Sequence, residues 1–434
     1  MQGAADRSSD TLAALRRGDL AGARELRLPP GLTEFPAEVV ALADTLELLD
    51  LSGSHLCALP DDLARLTRLR VLFLSGNRFT RLPPVLGALP RLSQIGVRAT
   101  GLAEIPSEAL PPRLRWLTAT DNRLSGLPAA LGERPDLQKL MLAGNRLRTL
   151  PDTLADARRL ELVRLSANDF EALPGWLCEL PRLAWCAWSG NPVERPPEPA
   201  PVATVDWAAI RLGPLLGEGA SGRVYRLDDA EGTPDGRALK LFKGAMTSDG
   251  LPEGEMAACL AAGAHPNLTG ATARLAGHPD GIPGLVMRRV PEGWRVLAGP
   301  PSLASCSRDV YPPDLRLPAA TALRIARDVA AAAAHLHRRG LSHGDLYGHN
   351  VLWDGQDGAA VLSDFGAASG LPAGPAGDAL CRLEVRAWGL LLGELLDLCP
   401  EPRDALRALA AACTTERVAE RPTMADALGA LDAL

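Results

Sequence analysis

His343-Gly344-Asp345-Leu346-Tyr347-Gly348-His349-Asn350, with Asp364-Phe365-Gly366 following, is the stretch whose reading decides the second half of this chain. Asp345 stands five residues before Asn350, and a further carboxylate, Asp364, precedes an aromatic residue and a glycine. Carboxylate and amide oxygens are the ligands that a hard cation such as Mg²⁺ prefers. A carboxylate beside them can accept or orient the proton of a hydroxyl. Tripeptides of this kind also arise by chance, so the weight rests on what stands in order before them.

Upstream is a glycine-rich run, Gly217-Glu218-Gly219-Ala220-Ser221-Gly222-Arg223-Val224, then Lys240 closing an apolar A-L-K, then His265-Pro266-Asn267. Glycines at 217, 219 and 222 let a backbone hairpin lie over phosphates that a β-carbon would hold away. An ammonium on the next strand, Lys240, can reach α- and β-phosphates if a carboxylate aims it. Glu255 is the expected carboxylate, in a helix that Pro252 can open, with Glu253 as the fallback. This ordered set resembles the eukaryotic-type protein kinase family over about Trp207 to Leu434. The resemblance implies a two-lobed α+β domain with ATP in its cleft, held by Gly217, Gly219, Ser221, Gly222, Val224 and Lys240. It also implies Mg²⁺ on Asn350 and Asp364, and Asp345 with Lys240 and Glu255 as the catalytic set.

The chain departs from that family at several points. Gly344 stands where the family has arginine and Tyr347 where its Ser/Thr kinases have lysine, so two positive charges are missing. No A-P-E follows Gly366, so the peptide platform is not visible, and Arg421 loses the glutamate it would pair with. Glu384 stands where the family's next helix usually has aspartate. Between Gly366 and Glu384 the only hydroxyl side chain is Ser369, and loop phosphorylation is not expected to be the control.

The first half carries an internal repeat. Asn77, Asn145, Asn168 and Asn191 close runs of the form L-x-x-L-x-L-x-x-N, and steps of 22 or 23 residues extend the register through Asn122, Thr100, Ser54 and Gly31. The period resembles the leucine-rich repeat family, in which each turn supplies one short parallel strand and a return segment. The asparagine amide can satisfy backbone groups that a buried turn would otherwise leave unpaired. Leu-Pro pairs at 59–60, 82–83, 127–128, 150–151 and 173–174 start the return segments. Counting back four and six from each register position gives the outward strand residues, among them Phe73, Trp116, Met141, Arg164 and Trp185. The row Phe73, Trp116, Met141 and Trp185 is the expected anchor for a protein partner, because aromatic residues commonly carry interfaces. Sealing the end of the solenoid is the structural alternative for Trp185.

With 434 residues there is chain for two cores. The expected layout is an N-terminal cap (1–25), an α/β leucine-rich repeat solenoid (26–191), a proline-rich linker (192–205) and a kinase domain (206–434). A net charge of −6 leaves no basic footprint for nucleic acid. Eight cysteines without a C-x-x-C pair read as free thiols of a reducing compartment. No apolar run approaches the roughly 18 residues of a membrane span, so a soluble cytoplasmic protein is expected. The resemblance implies transfer of the ATP γ-phosphoryl to Ser or Thr of a protein chosen by the repeats. Two alternatives remain open: a non-catalytic scaffold, and a small-alcohol phosphotransferase, since H-G-D-L with Asn350 also resembles aminoglycoside and choline phosphotransferases.

Overall fold

The computed structural model describes residues 9–195, 202–228, 236–244, 246–401 and 404–433. Met1–Ser8 of the expected cap and Pro196–Pro201 of the expected linker lie outside the described residues. The chain divides into two compact units. The first holds 1–163 and 168–174, the second 164–167 and 175–434.

Helix α1 (Ser9–Arg17) precedes eight three-residue strands. They are β1 (Glu25–Arg27), β2 (Leu48–Asp50), β3 (Val71–Phe73), β4 (Gln94–Gly96), β5 (Trp116–Thr118), β6 (Lys139–Met141), β7 (Leu162–Arg164) and β8 (Trp185–Ala187). They form one sheet in sequence order, and parallel pairing is continuous from β1 to β6. This is the repeat register read from the sequence: each strand ends four residues before a register position. The leucines between alternate outward positions, such as Leu72, Leu117 and Leu140, are fully buried and stack into the core. Short 3₁₀ turns follow the Leu-Pro pairs, as at Asp61–Arg65 and Asp152–Asp156. Proline cannot donate to a ladder, so it ends the strand segment and opens the turn.

The asparagines act as expected. Asn145 Nδ2 donates to the carbonyls of Ala119 (3.0 Å) and Leu142 (2.9 Å), while its Oδ1 accepts from Leu124 N at 3.0 Å. Asn77 bridges Leu51, Leu74 and Leu56 in the same way. Where the register holds Thr100, the hydroxyl and the backbone N–H both donate to Asn122 Oδ1 of the next turn.

In the second unit a six-stranded sheet is built from β9 (Ala203–Asp206), β10 (Leu212–Glu218), β11 (Gly222–Leu227), β12 (Arg237–Phe242), β13 (Ala271–Ala276) and β14 (Gly284–Arg288). Its order is β10-β11-β12-β14-β13-β9, antiparallel except for β9 against β13. Leu227, Leu239, Ala273, Leu275 and Val286 form its core. Helix α2 (Pro252–Ala262) crosses over between β12 and β13. After β15 (Arg295–Val296) the chain turns helical: α3 (Ala319–Arg338), α4 (Pro375–Asp397), α5 (Asp404–Thr414) and α6 (Met424–Asp432). Small sheets link β15 with β17 (Val351–Trp353) and β18 (Ala360–Leu362), and β16 (Leu341–Ser342) with β19 (Ser369–Gly370). A mixed sheet followed by a helical half is the expected two-lobed arrangement. No helix among the described residues is long and apolar enough to cross a membrane, and no disulfide joins any of the eight cysteines.

Candidate active site

A cleft of about 790 Å³ opens between the six-stranded sheet and the segment that ends in Gly366. Its roof is the β10–β11 hairpin, in which Gly217 pairs with Val224 and Glu218 with Arg223. The glycine-rich run is therefore a hairpin tip, and Gly217, Gly219, Ser221, Gly222 and Val224 all line the cleft. Space is open where a β-carbon would stand on Gly217 and Gly219. Gly222 is glycine for another reason: a β-carbon there would run into the Leu241 carbonyl of the adjacent strand.

Lys240, on β12, is ion-paired with Glu255 in the first turns of α2. Pro252 opens that helix at its first position, and Glu253 does not make the pair. The Glu255 side chain is 2% exposed and that of Lys240 13%. Burial works against the ammonium, but the carboxylates of Glu255 and Asp364 outweigh it and hold the Lys240 pKa above its ordinary value. Lys240 thus keeps its ammonium charge, and it lines the same cleft as Asp364.

Asp364 is exposed at a left-handed backbone position (φ 63°), and its Oδ1 accepts from Gly366 N at 3.0 Å. Asn350 Nδ2 donates to the Asp345 backbone oxygen (2.8 Å) and to its Oδ2 (2.7 Å). Two acceptors fix which end of the amide faces Asp345, so the amide oxygen is the end that points away from it and could take a cation. No group of three or more His, Cys, Asp or Glu side chains that could hold a metal exists among the described residues. An Mg²⁺ bound through one carboxylate, one amide oxygen, phosphate oxygens and water does not require one. The donor set therefore fits Mg·ATP.

The catalytic loop is pinned from behind. His343 Nε2 meets the Ser363 carbonyl at 3.0 Å, and Glu384 Oε1 accepts from Ser342 Oγ (3.1 Å) and from Gly344 N (2.7 Å). Glu384 Oε2 lies 2.7 Å from His337 Nε2. Burial opposes a charge on His337, yet Cys381 and Glu384 push its pKa up to about 10. Arg421, whose usual carboxylate partner is missing, donates instead to the carbonyls of Thr415, Arg382 and Pro181. Ser369 is 1% exposed, and its Oγ accepts from Trp188 N at 2.9 Å, so its hydroxyl is not open to a modifying enzyme.

Several residues of this site were not expected from the sequence. Arg164 at the end of β7 donates to Asp249 Oδ1 at 2.6 Å, to the Gly344 carbonyl at 3.0 Å, and to Asp345 Oδ1. His349 bridges Asp309 (2.7 Å) and Asp345 (3.8 Å). Trp185, placed by the repeat period in an outward aromatic row, is 2% exposed and donates from Nε1 to the Leu346 carbonyl. That corrects its place in the row: its ring is spent on the segment that carries Asp345 and is not open to a partner. Met141 is also buried, at 6% exposure, while Phe73 and Trp116 are half-buried. The repeat period places a residue on a strand face, but carries no sign of what that face meets.

Residues 295–368, which include Asp345, Asn350 and Asp364, match the model of the lipopolysaccharide kinase (Kdo/WaaP) family, and residues 68–89 match the leucine-rich repeat model. Among solved structures, a leucine-rich-repeat protein of Leptospira interrogans is 26% identical, with a TM-score of 0.34. That match covers 40% of this chain and 50% of that one. No curated protein matches the sequence.

Proposed function

Given a chain that joins leucine-rich repeats to a kinase-family phosphotransferase domain, we propose that it transfers the γ-phosphoryl group of ATP to a Ser or Thr hydroxyl of a protein chosen by the repeats. The observation that carries phosphotransfer is the buried Lys240–Glu255 pair facing Asp364 across the glycine-roofed cleft. Phosphoryl transfer asks a protein mainly for positioning and charge neutralisation, and these residues supply both. The β10–β11 hairpin covers the phosphates and Lys240 neutralises them. Asn350 and Asp364 would hold Mg²⁺, which neutralises charge on the transferring group. Asp345, steadied by Asn350, orients the acceptor hydroxyl.

A protein acceptor is supported by the repeats, an architecture that generally serves protein binding. A second reading, a sugar or other small alcohol, is favoured by the lipopolysaccharide kinase match and by α4, which begins at Pro375 and leaves little chain after Gly366 for a peptide platform. The test is γ-labelled ATP with the purified chain and a lysate, beside Asp345→Asn. Label in protein that disappears in the variant supports the first reading. Label confined to small molecules supports the second, and no Mg²⁺-dependent transfer at all leaves a scaffold.

A further inference from the structure

No arginine precedes Asp345 in its loop, and the structure shows both why and what stands in its place. Gly344 sits at φ +73°, a conformation that side chains other than glycine rarely adopt. A β-carbon there would run into the Ala367 carbonyl and come within 3.0 Å of the Cys186 carbonyl on β8. The backbone of the last repeat strand therefore occupies the space into which an arginine at 344 would project. The guanidinium comes from the preceding repeat strand instead. Arg164 is 1% exposed and belongs to the same compact unit as the catalytic loop.

All three nitrogens of that guanidinium are engaged, and each contact has a consequence. Nη2 pairs with Asp345 Oδ1, while Asn350 holds Oδ2, so both carboxylate oxygens have a fixed donor. Nη1 donates to the Gly344 carbonyl, which fixes the peptide just before Asp345. Nε is tied to Asp249 Oδ1, three residues before the helix that carries Glu255. A planar fork with several fixed donors gives orientation that a flexible ammonium cannot. Two fully buried tryptophans on and just after the neighbouring strand β8 are anchored to the same part of the chain: Trp185 Nε1 on the Leu346 carbonyl (2.9 Å) and Trp188 Nε1 on the Gly370 carbonyl (3.0 Å). Burial of that kind makes a permanent part of a fold rather than a reversible clamp.

We propose that Arg164 is a positioning residue of the phosphotransferase site, holding Asp345 and the Gly344 peptide from the last repeats in place of a catalytic-loop arginine. The proposal rests on the phosphotransfer reading above. It assigns the final two repeats a part in the chemistry, separate from any choice of partner.

Removing Arg164 alone strands two carboxylates, so the variant of choice is Arg164→Met combined with Asp249→Asn, compared with Asp249→Asn alone and with Arg164→Lys. Misplacing a reacting group by about 1 Å can cost on the order of 100-fold in rate. The double variant is expected to lose on the order of 100-fold in kcat with KM for Mg·ATP within about 3-fold, because it touches the acceptor side and not the phosphate cradle. Asp249→Asn alone sets the baseline for loss of the Nε contact, the further drop from that baseline to the double variant is the part carried by the Arg164 guanidinium, and Arg164→Lys should recover part of that drop. Amide exchange over 343–350 should speed up in the double variant and stay unchanged over 212–242. A double variant as active as wild type, or more active, overturns the proposal, the second outcome marking the contact as inhibitory. A wild-type chain that binds Mg·ATP but transfers nothing refutes the phosphotransfer reading itself and takes this inference with it.

Discussion

The indole of Trp185 lies flat on the phenol ring of Tyr347, with centroids 4.1 Å apart and planes 6° from parallel. Tyr347 is 4% exposed, and its hydroxyl has no hydrogen-bond partner among the described residues. The ring is thus used for its face and not for its oxygen. Tyr347→Phe is expected to be neutral within about 0.5 kcal/mol, or stabilising, since it removes a polar atom that burial leaves unsatisfied. Trp185→Ala is expected to cost about 3–5 kcal/mol, the usual loss for a large buried aromatic. Urea unfolding of both variants checks the pair. A Tyr347→Phe loss as large as that of Trp185→Ala would show that the hydroxyl matters.

Lys240→Met should remove phosphotransfer, and it should also leave a pH signature. Burial, with the Asp364 charge beside it, already pushes the Glu255 carboxyl upward, and Lys240→Met removes the ammonium that opposes them. A carboxyl whose folded pKa exceeds its unfolded one stabilises the fold below the unfolded pKa. That contribution is lost as pH rises through the folded value. The melting temperature of Lys240→Met should therefore fall relative to wild type as pH rises from about 4 towards neutrality, where an unfolded Glu near 4.3 is already ionised. A constant difference across that range would mean that Glu255 finds another cation.

Restoring the missing arginine should harm the protein. Gly344→Arg forces a side chain into a positive-φ position and against two carbonyls. The backbone strain alone is worth about 1–3 kcal/mol. Lower melting temperature and lower turnover are expected together; a gain in turnover would mean that the last repeat strand can move aside.

The pair behind the loop sets a second pH window. His337, raised to about 10, contributes stability that is full below its unfolded pKa of about 6.5 and fades as pH rises towards 10. Glu384 is held below the ordinary carboxylate range, burial opposing and His337 prevailing. Its contribution is full above about 4.3 and is lost as pH falls further. The melting-temperature gap between wild type and His337→Gln should peak at about pH 5–6 and shrink on both sides. A gap that is flat to pH 10 would show that the imidazole is held neutral.

Phe73 and Trp116 are what remains of the expected aromatic row. Lys139 Nζ stands 4.2 Å from the centre of the Trp116 ring, and Trp116 Nε1 donates to Thr118 Oγ1 at 2.9 Å. Phe73→Ala with Trp116→Ala should abolish capture of a protein partner while leaving turnover on a generic acceptor within about 2-fold, since hot-spot residues of this kind carry binding and not catalysis. Capture indifferent to the double substitution argues against a ligand on these strands.

The repeat was legible because a solenoid writes its geometry into spacing. Leu72, Leu117 and Leu140 fall on one buried line, and each register asparagine bonds to a neighbouring turn. The Lys240–Glu255 pair was legible for a similar reason: Pro252 marks a helix start, and only one carboxylate of that first turn faces the strand. Arg164 and Trp185 were not legible beyond their strand face, because the carbonyls they bond to, on Gly344 and Leu346, lie 180 and 161 residues away in sequence. Nothing local distinguishes Arg164 from a solvated arginine. Gly344 was read correctly as a lost charge, but the sign of its backbone angle, which disfavours arginine there, is visible only in three dimensions.

Because the cation that steadies Asp345 is carried on strand β7, the two ends of the array are under different rules. Turns could be inserted or lost ahead of β6 without changing the spacing between Arg164 and the loop it serves. A graft that exchanges recognition modules must therefore be joined upstream of Val163. A truncation at Pro201, which the proline-rich composition invites, would remove the guanidinium that Asp345 and the Gly344 carbonyl bond to, along with the repeats.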